Sequence, residues 1–195
     1  GFRGEALSSI AAVSQLEIVS RRKVDKFGCK LKIEGGKIKS SQRVVSPVGT
    51  NVLVKNLFFN VPARRNFLKS DSVELKHIIN EFHRISIPHY NLNISLNHKK
   101  SEIFSLYNSN CHSRIKNLFG KKIEENLIPI NEKTSFVKIN GYVIKPEASK
   151  KTRGMQFLFV NNRFIKNNFL FHAINKAYEG LLPEKNYPGF FIFLK

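Results

Sequence analysis

Four consecutive runs between residues 15 and 57 constrain this chain most. Gln15 to Arg21, Cys29 to Ile33 and Ile38 to Val45 each alternate in character, and Thr50 to Leu57 reads as a further strand. Alternation with a period of two places successive side chains on opposite faces, which a helix cannot do. Gly35-Gly36 falls between the second and third runs as a hairpin turn, and Ser46-Pro47-Val48-Gly49 makes the next turn. Helical patterns flank these strands. Ala6 to Val13 is a short helix-forming run, and Asn60 is placed to cap a short helix with Pro62 in its first turn. Asp71-Ser72-Val73-Glu74 resembles a capping box. Leu75, Ile78, Ile79, Phe82 and Ile85 then recur at helical spacing until Pro88 stops the helix.

The second half repeats the mixture. Leu92 to Leu96 and Ile103 to Tyr107 read as a hairpin, and the polar run Asn108-Ser109-Asn110 follows. A short helix, Arg114 to Phe119, ends at Gly120. Strands are expected at 127–130, 136–144, 156–160 and 190–194. Phe169, Ala173, Ile174, Ala177 and Tyr178 form a helical stripe that ends at Gly180. The pattern is α+β, with a domain boundary in the loop at 108–113. It predicts one domain over residues 1–110 and a second over 111–195.

Composition sets the remaining bounds. Hydrophobic residues make up 42% of the 195, enough for a packed core. No run approaches the roughly 18 apolar residues of a membrane span, and nothing at the start marks a secretory leader. Cys29 and Cys111 lie far apart and read as reduced thiols, as in a cytoplasmic protein. Lys and Arg number 33 against 14 Asp and Glu, a formal net charge of +19. That charge favours a polyanion, nucleic acid first, although an AT-rich coding bias towards Lys and Asn also raises it. The basic residues are scattered through the patterned segments, so a folded basic surface fits better than a tail.

Candidate chemistry narrows quickly. His77 and His83 share a helix six residues apart, and the other histidines are isolated, so no metal site is expected. No Ser/His/Asp or Cys/His set has motif support. The stretch GFRGEALSSI, residues 1 to 10, is a glycine turn feeding a helix, the usual way to offer backbone N–H groups to a phosphate. Within it Glu5 suits a helix N-terminal or salt-bridging role better than that of a general base.

Three stretches carry a resemblance. GFRGEAL (Gly1 to Leu7), LFFNVPARRNFLK (Leu57 to Lys69) and FLFVNNRFIKN (Phe157 to Asn167) resemble, in order and spacing, signatures of the MutL family of DNA mismatch-repair proteins. The likeness runs over essentially the whole chain. A lone GxxG would be weak, but GFRGEAL with NVPARRxFL downstream is specific.

The resemblance implies an ATPase of the gyrase, Hsp90, histidine-kinase and MutL superfamily (GHKL). It implies the back half of a GHKL-type ATPase domain, helices on a mixed sheet, followed by a transducer domain with the ribosomal-protein-S5-like fold. In that family Gly1, Phe2, Arg3, Gly4, Glu5, Ala6 and Leu7 form the ATP lid, and Thr50 matches a Gly-Thr turn at the adenine side. Taken alone, Thr50 is an ordinary strand residue after a turn. The family's water-activating Glu, magnesium-holding Asn and adenine-reading Asp would all precede Gly1, and a phosphate-contacting Lys would follow Lys195. The chain is therefore expected to be an internal fragment of an N-terminal ATPase region, inactive alone, with ATP and magnesium belonging to the parent and no metal or nucleotide bound here.

For DNA the resemblance points to Arg64, Arg65, Arg163 and Lys166. Arg64 and Arg65 equally suit a helix surface paired with Asp71 or Glu74. Asn162 replaces the family's usual Gly, and Asn is the commonest substitute at positive φ. Asn167 and Asn168 stand where a further basic residue is expected. The implied partners are DNA without sequence preference, a second MutL chain, a MutS-type mismatch-recognition protein and a downstream nuclease or helicase. The competing reading is a non-enzymatic nucleic-acid-binding module on an S5-like fold, which explains the charge but not GFRGEAL.

Overall fold

The computed structural model describes residues 4–195; Gly1, Phe2 and Arg3 of the expected lid lie outside the described residues. The chain forms two compact units, Gly1–Glu74 and Leu75–Lys195.

In the first unit α1 (Glu5–Ala12) precedes four strands, β1 (Gln15–Arg21), β2 (Gly28–Glu34), β3 (Lys37–Val44) and β4 (Gly49–Lys55). They form one sheet in the order β3-β2-β1-β4, with every pairing antiparallel. Leu16 on β1 pairs with Ile33 on one side and Val54 on the other, and it is buried. The carbonyls at the end of α1 and just after it are met from two loops. Gly36 N–H donates to Ala11 O (2.9 Å), Gly35 N–H to Ser14 O (3.2 Å) and Phe58 N–H to Val13 O (2.7 Å).

Asn60 does not cap the helix that follows it. Val61 holds the N-cap position of α2 (Pro62–Asn66), and the Asn60 side chain donates instead to Ala12 O at 2.9 Å. The expected capping box is also displaced by one position. Asp71 is already helical in α3 (Asp71–Ser86), the Ser70 carbonyl accepts from Val73 and Glu74, and the Glu74 carboxylate accepts from Lys69 N–H at 2.9 Å.

The second unit is built around a central strand buried on both faces. Its five-stranded sheet runs β10-β9-β11-β8-β7, from β7 (Leu127–Lys133), β8 (Lys138–Ile144), β9 (Gln156–Val160), β10 (Arg163–Phe164) and β11 (Phe190–Leu194). β9 and β11 are parallel, and α6 (Asn168–Ala177) lies on the chain path between them; the other pairings are antiparallel. An unbroken apolar run such as FFIFL is what a strand covered on both sides requires.

On one face Phe157 stacks on Phe191 with ring centroids 5.4 Å apart, and Phe159 on Phe193 at 4.9 Å. Ile115 and Leu118 of α4 (Cys111–Phe119), Ile123 of α5 (Lys121–Glu124) and Phe82 of α3 join that cluster. On the other face Leu158, Phe190 and Ile192 pack with Leu170, Phe171 and Ile174 of α6. A two-stranded hairpin, β5 (Ile94–His98) with β6 (Ser101–Leu106), completes the unit. Arg114 of α4 is fully buried and donates to the carbonyls of Tyr90 (2.9 Å), Leu92 (2.7 Å) and Tyr107 (3.1 Å), tying both ends of the hairpin to the helix.

His83 sits among Phe104, Phe119 and Phe157, and burial pushes its pKa down from 6.5 to about 4. The unfolded chain therefore takes up a proton at this site at a higher pH than the folded one. The stability is complete above pH 6.5 and is lost progressively as pH falls from there to the folded value near 4. We expect His83→Phe to flatten the fall in melting temperature between pH 7 and 4; an unchanged pH profile in that variant would place the acid sensitivity elsewhere.

Candidate nucleotide-lid and nucleic-acid surfaces

Gly4 stands at the N-cap of α1 with φ +67°, the left-handed region that glycine occupies without cost. Among the described residues a Cβ built at Gly4 meets nothing within 4 Å. Glu5, Ala6 and Leu7 form the first turn of α1 and are exposed, with Leu7 45% accessible. The start of α1 thus presents backbone N–H groups outward while its far end is held by the two loops.

Thr50 lies on β4 opposite Ser20 of β1, and their hydroxyl oxygens are 2.8 Å apart. Arg64 and Arg65 are exposed on α2, a helix with no buried residue. Among the described residues neither pairs with Asp71 or Glu74, and Glu74 is engaged with the Lys69 N–H instead.

In the second unit Asn161 and Asn162 turn the chain from β9 into β10 with φ +49° and +63°. The positive φ expected at Asn162 is present, and Asn161 shares it. Arg163 opens β10 opposite Val160 and is exposed. Asn167 caps α6 by accepting from Leu170 N–H at 3.0 Å. This Asn therefore sets the start of the helix rather than offering a charge.

Lys166, between β10 and α6, lines a cleft of about 500 Å³. The cleft also gathers Arg84 from α3 and Arg153 from the loop before β9. The Arg84 guanidinium lies 4.4 Å above the Phe164 ring and is paired with Glu81; Arg153 lies 4.6 Å above Tyr187. Stacking on a ring restrains a guanidinium without consuming its N–H donors. Arg84 and Arg153 carry no sequence signature. They are 69 residues apart, and only the packing of α3 beside β9 and β10 brings them to Lys166. Among the described residues no three His, Cys, Asp or Glu side chains come together as a metal site, and no helix is long and apolar enough to cross a membrane.

Residues 115–195 match the family model for the C-terminal domain of DNA mismatch repair protein. Over all 195 residues the chain is 50% identical to the DNA mismatch repair protein MutL of Christiangramia forsetii, covering 32% of that protein. It is 51% identical over 194 residues to MutL of Flavobacterium psychrophilum, again covering 32%. The chain thus spans about a third of the length of these relatives. The fold is similar to that of the Aquifex aeolicus MutL ATPase domain complexed with ADP, with 26% identity, a TM-score of 0.77, and coverage of 97% of this chain and 70% of that one. The 43K ATPase domain of Thermus thermophilus gyrase B shares the fold alone, at 14% identity and a TM-score of 0.56 over 100% of this chain and 58% of that one.

The architecture is therefore that of the ATPase regions of the gyrase and MutL type, an α+β fold with helices on mixed sheets. Within that class the chain belongs to the MutL family of DNA mismatch-repair proteins.

The Asn167 cap generates a direct test. Asn167→Ala removes the acceptor for Leu170 N–H and is expected to cost about 1 kcal/mol, as loss of such caps does. Urea denaturation checks it; an unchanged midpoint would mean that α6 is fixed by packing alone.

Proposed function

We propose that this chain works as the lid-bearing and DNA-contacting part of a MutL-type mismatch-repair ATPase. The observation that carries the reading is the joint occurrence, in one chain half identical to MutL proteins throughout, of an open glycine-capped helix start at Gly4 and a cationic cleft around Lys166. Residues 1–110 are read as the ATPase-domain part and 111–195 as the S5-like transducer part. The mismatch-repair domain match from residue 115 supports that division.

Of the lid residues, the described ones, Gly4 to Leu7, suit a nucleotide phosphate. Gly4 leaves room for close backbone approach, and the start of α1 supplies N–H donors with the positive end of the helix dipole. Thr50 is read as the hydroxyl on the adenine side. A nucleotide bound there would supply the phosphoryl bond to be cleaved, and magnesium would balance its charge. The chain's own part is to close α1 over the phosphates and to couple that closure to pairing with a second MutL chain. Arg64, Arg65, Arg163 and Lys166 then hold DNA by its phosphates, without reading sequence. A MutS-type protein and a nuclease or helicase are the partners on either side of that step.

The family assigns the general base, the magnesium ligand and the adenine acceptor to none of these 195 residues. A lid alone cannot assemble the positioning and charge stabilisation that phosphoryl transfer needs. The 195 residues by themselves are expected to release no phosphate from ATP; magnesium-dependent release that follows the protein through purification would contradict this.

The DNA reading is tested by salt. Each phosphate neutralised contributes about −0.9 to the slope of log K against log salt, so six contacts give a slope steeper than about −5. In the whole protein that carries this segment, Arg163→Glu with Lys166→Glu is expected to weaken binding on two unrelated duplexes alike and to flatten the slope. ATP hydrolysis without DNA should stay unchanged. An affinity insensitive to salt in the unaltered protein would mean that its positive charge is not used on DNA.

A further inference from the structure

We propose that Ser20 is a positioning residue for the nucleotide base, acting by holding the Thr50 hydroxyl in one orientation. The inference rests on the reading of Thr50 as the hydroxyl on the adenine side and adds the residue that fixes where this hydroxyl points.

Contact is the first observation. Ser20 and Thr50 stand directly opposite each other on β1 and β4, and their hydroxyl oxygens lie 2.8 Å apart. Among the described residues neither hydroxyl has a second hydrogen-bond partner. Ser20 is half-buried and Thr50 is exposed, so the pair is open to a ligand from the Thr50 side. No sequence signature marks Ser20.

Rotamer choice is the second. Threonine carries a hydroxyl and a methyl group on the same carbon, and a change of χ1 from one staggered well to the next exchanges them. An exposed Thr50 without a partner presents either group to a ligand. The bond to Ser20 selects the rotamer that keeps the hydroxyl towards β1. A hydroxyl has one proton and two lone pairs, and one of these is engaged with Ser20. Those that remain keep fixed directions. Either oxygen can donate across the pair. A ring nitrogen that only accepts therefore selects the polarity in which Ser20 donates to Thr50 and Thr50 donates to the base.

Setting is the third. Alternate residues of a strand share a face. Ser20 follows Leu16 and Ile18 on β1, and Thr50 precedes Val52 and Val54 on β4, so the hydroxyl pair closes one end of an apolar stripe. A purine has an apolar face and a polar edge, which is the combination that a stripe with a polar end accommodates.

Rigidity is the fourth. Just beyond Ser20 the turn is pinned: Arg22 donates twice to the Asp25 carboxylate, at 2.8 and 3.0 Å, and Arg21 Nη1 donates to Asp25 O at 3.1 Å. A Cβ built at Gly28 would lie 2.3 Å from Ser46 Oγ and 3.1 Å from Ser20 O, so β2 packs closely against this end of β1. Ser20 is thus a fixed point from which a neighbouring side chain can be aimed.

The test uses the whole protein that carries this segment and calorimetric titration with the β,γ-imido analogue of ATP in the presence of magnesium. Ser20→Ala, Ser20→Thr, Thr50→Val and the double variant Ser20→Ala with Thr50→Val are compared. The proposal expects Ser20→Ala to weaken binding roughly fivefold, within the range for one hydrogen bond, and Ser20→Thr to restore it to within about twofold. In the Thr50→Val background Ser20→Ala should add nothing, because its effect passes through the hydroxyl already removed. A role confined to holding β1 in place would show equally in both backgrounds, and that result overturns the proposal. So does unchanged affinity in Ser20→Ala, or failure of Ser20→Thr to restore it. If Thr50→Val binds as the unaltered protein does, the adenine-side reading of Thr50 falls and the proposal with it. If the unaltered protein binds no analogue, the nucleotide reading itself falls, a result distinct from loss of the Ser20 effect alone.

Discussion

The strand Phe190–Leu194 is the constraint on which the second unit depends. Its residues alternate between two apolar clusters, Phe191 and Phe193 on one face, Phe190 and Ile192 on the other. Each fully buried aromatic or aliphatic side chain is favourable by roughly 1.5–3 kcal/mol, and that gain requires cover on both sides. The α4 side supplies one cover and α6 the other. Once α6 must lie against Phe190 and Leu158, the chain leaving β9 has to turn through Asn161 and Asn162 and reach Asn167 within a few residues. The position of Lys166 is thus a consequence of packing several residues away. Arg84 follows in the same way, because Phe82 and His83 on the same helix enter the aromatic cluster and leave Arg84 over Phe164.

The first unit divides its order differently. α1 is secured at its C-terminal end, where Ile10, Ala11 and Ala12 carbonyls accept from Ser14 Oγ, Gly36 N–H and Asn60 Nδ2. Its first turn is exposed and bounded by a glycine in the left-handed region. The same carbonyl demand explains why Asn60 was taken from its expected place as a cap. An unpaired carbonyl at the close of α1 competed for the amide, and α2 has proline in its first turn, where one donor is already absent.

Charge and geometry contribute separately to the reading as a DNA-contacting surface. A net charge of +19 gives long-range attraction to any polyanion but no site. The cleft beside α6 holds two guanidinium groups stacked on rings in a concave space, which restrains them without consuming their N–H donors.

The sequence by itself determined the local elements, because their causes are local. Period-two alternation placed β1 to β3 to within a residue, the turn at 46–49 announced β4, the stripe from Leu75 to Ile85 gave α3, and Asn162 declared its left-handed turn. GFRGEAL and NVPARRNFL named the family because those residues sit together in the chain. What only the tertiary structure decided was every choice settled by distant partners. Asn60 went to Ala12 O, Glu74 to the backbone of Lys69, and Arg114 to three carbonyls of a hairpin more than five residues away. Arg84 and Arg153 joined Lys166 although nothing near them in sequence marks either one. Hydrogen-bonding groups and charges are satisfied by whatever the packed core brings within reach, and that core is assembled from the whole length of the second unit rather than from any one stretch of it.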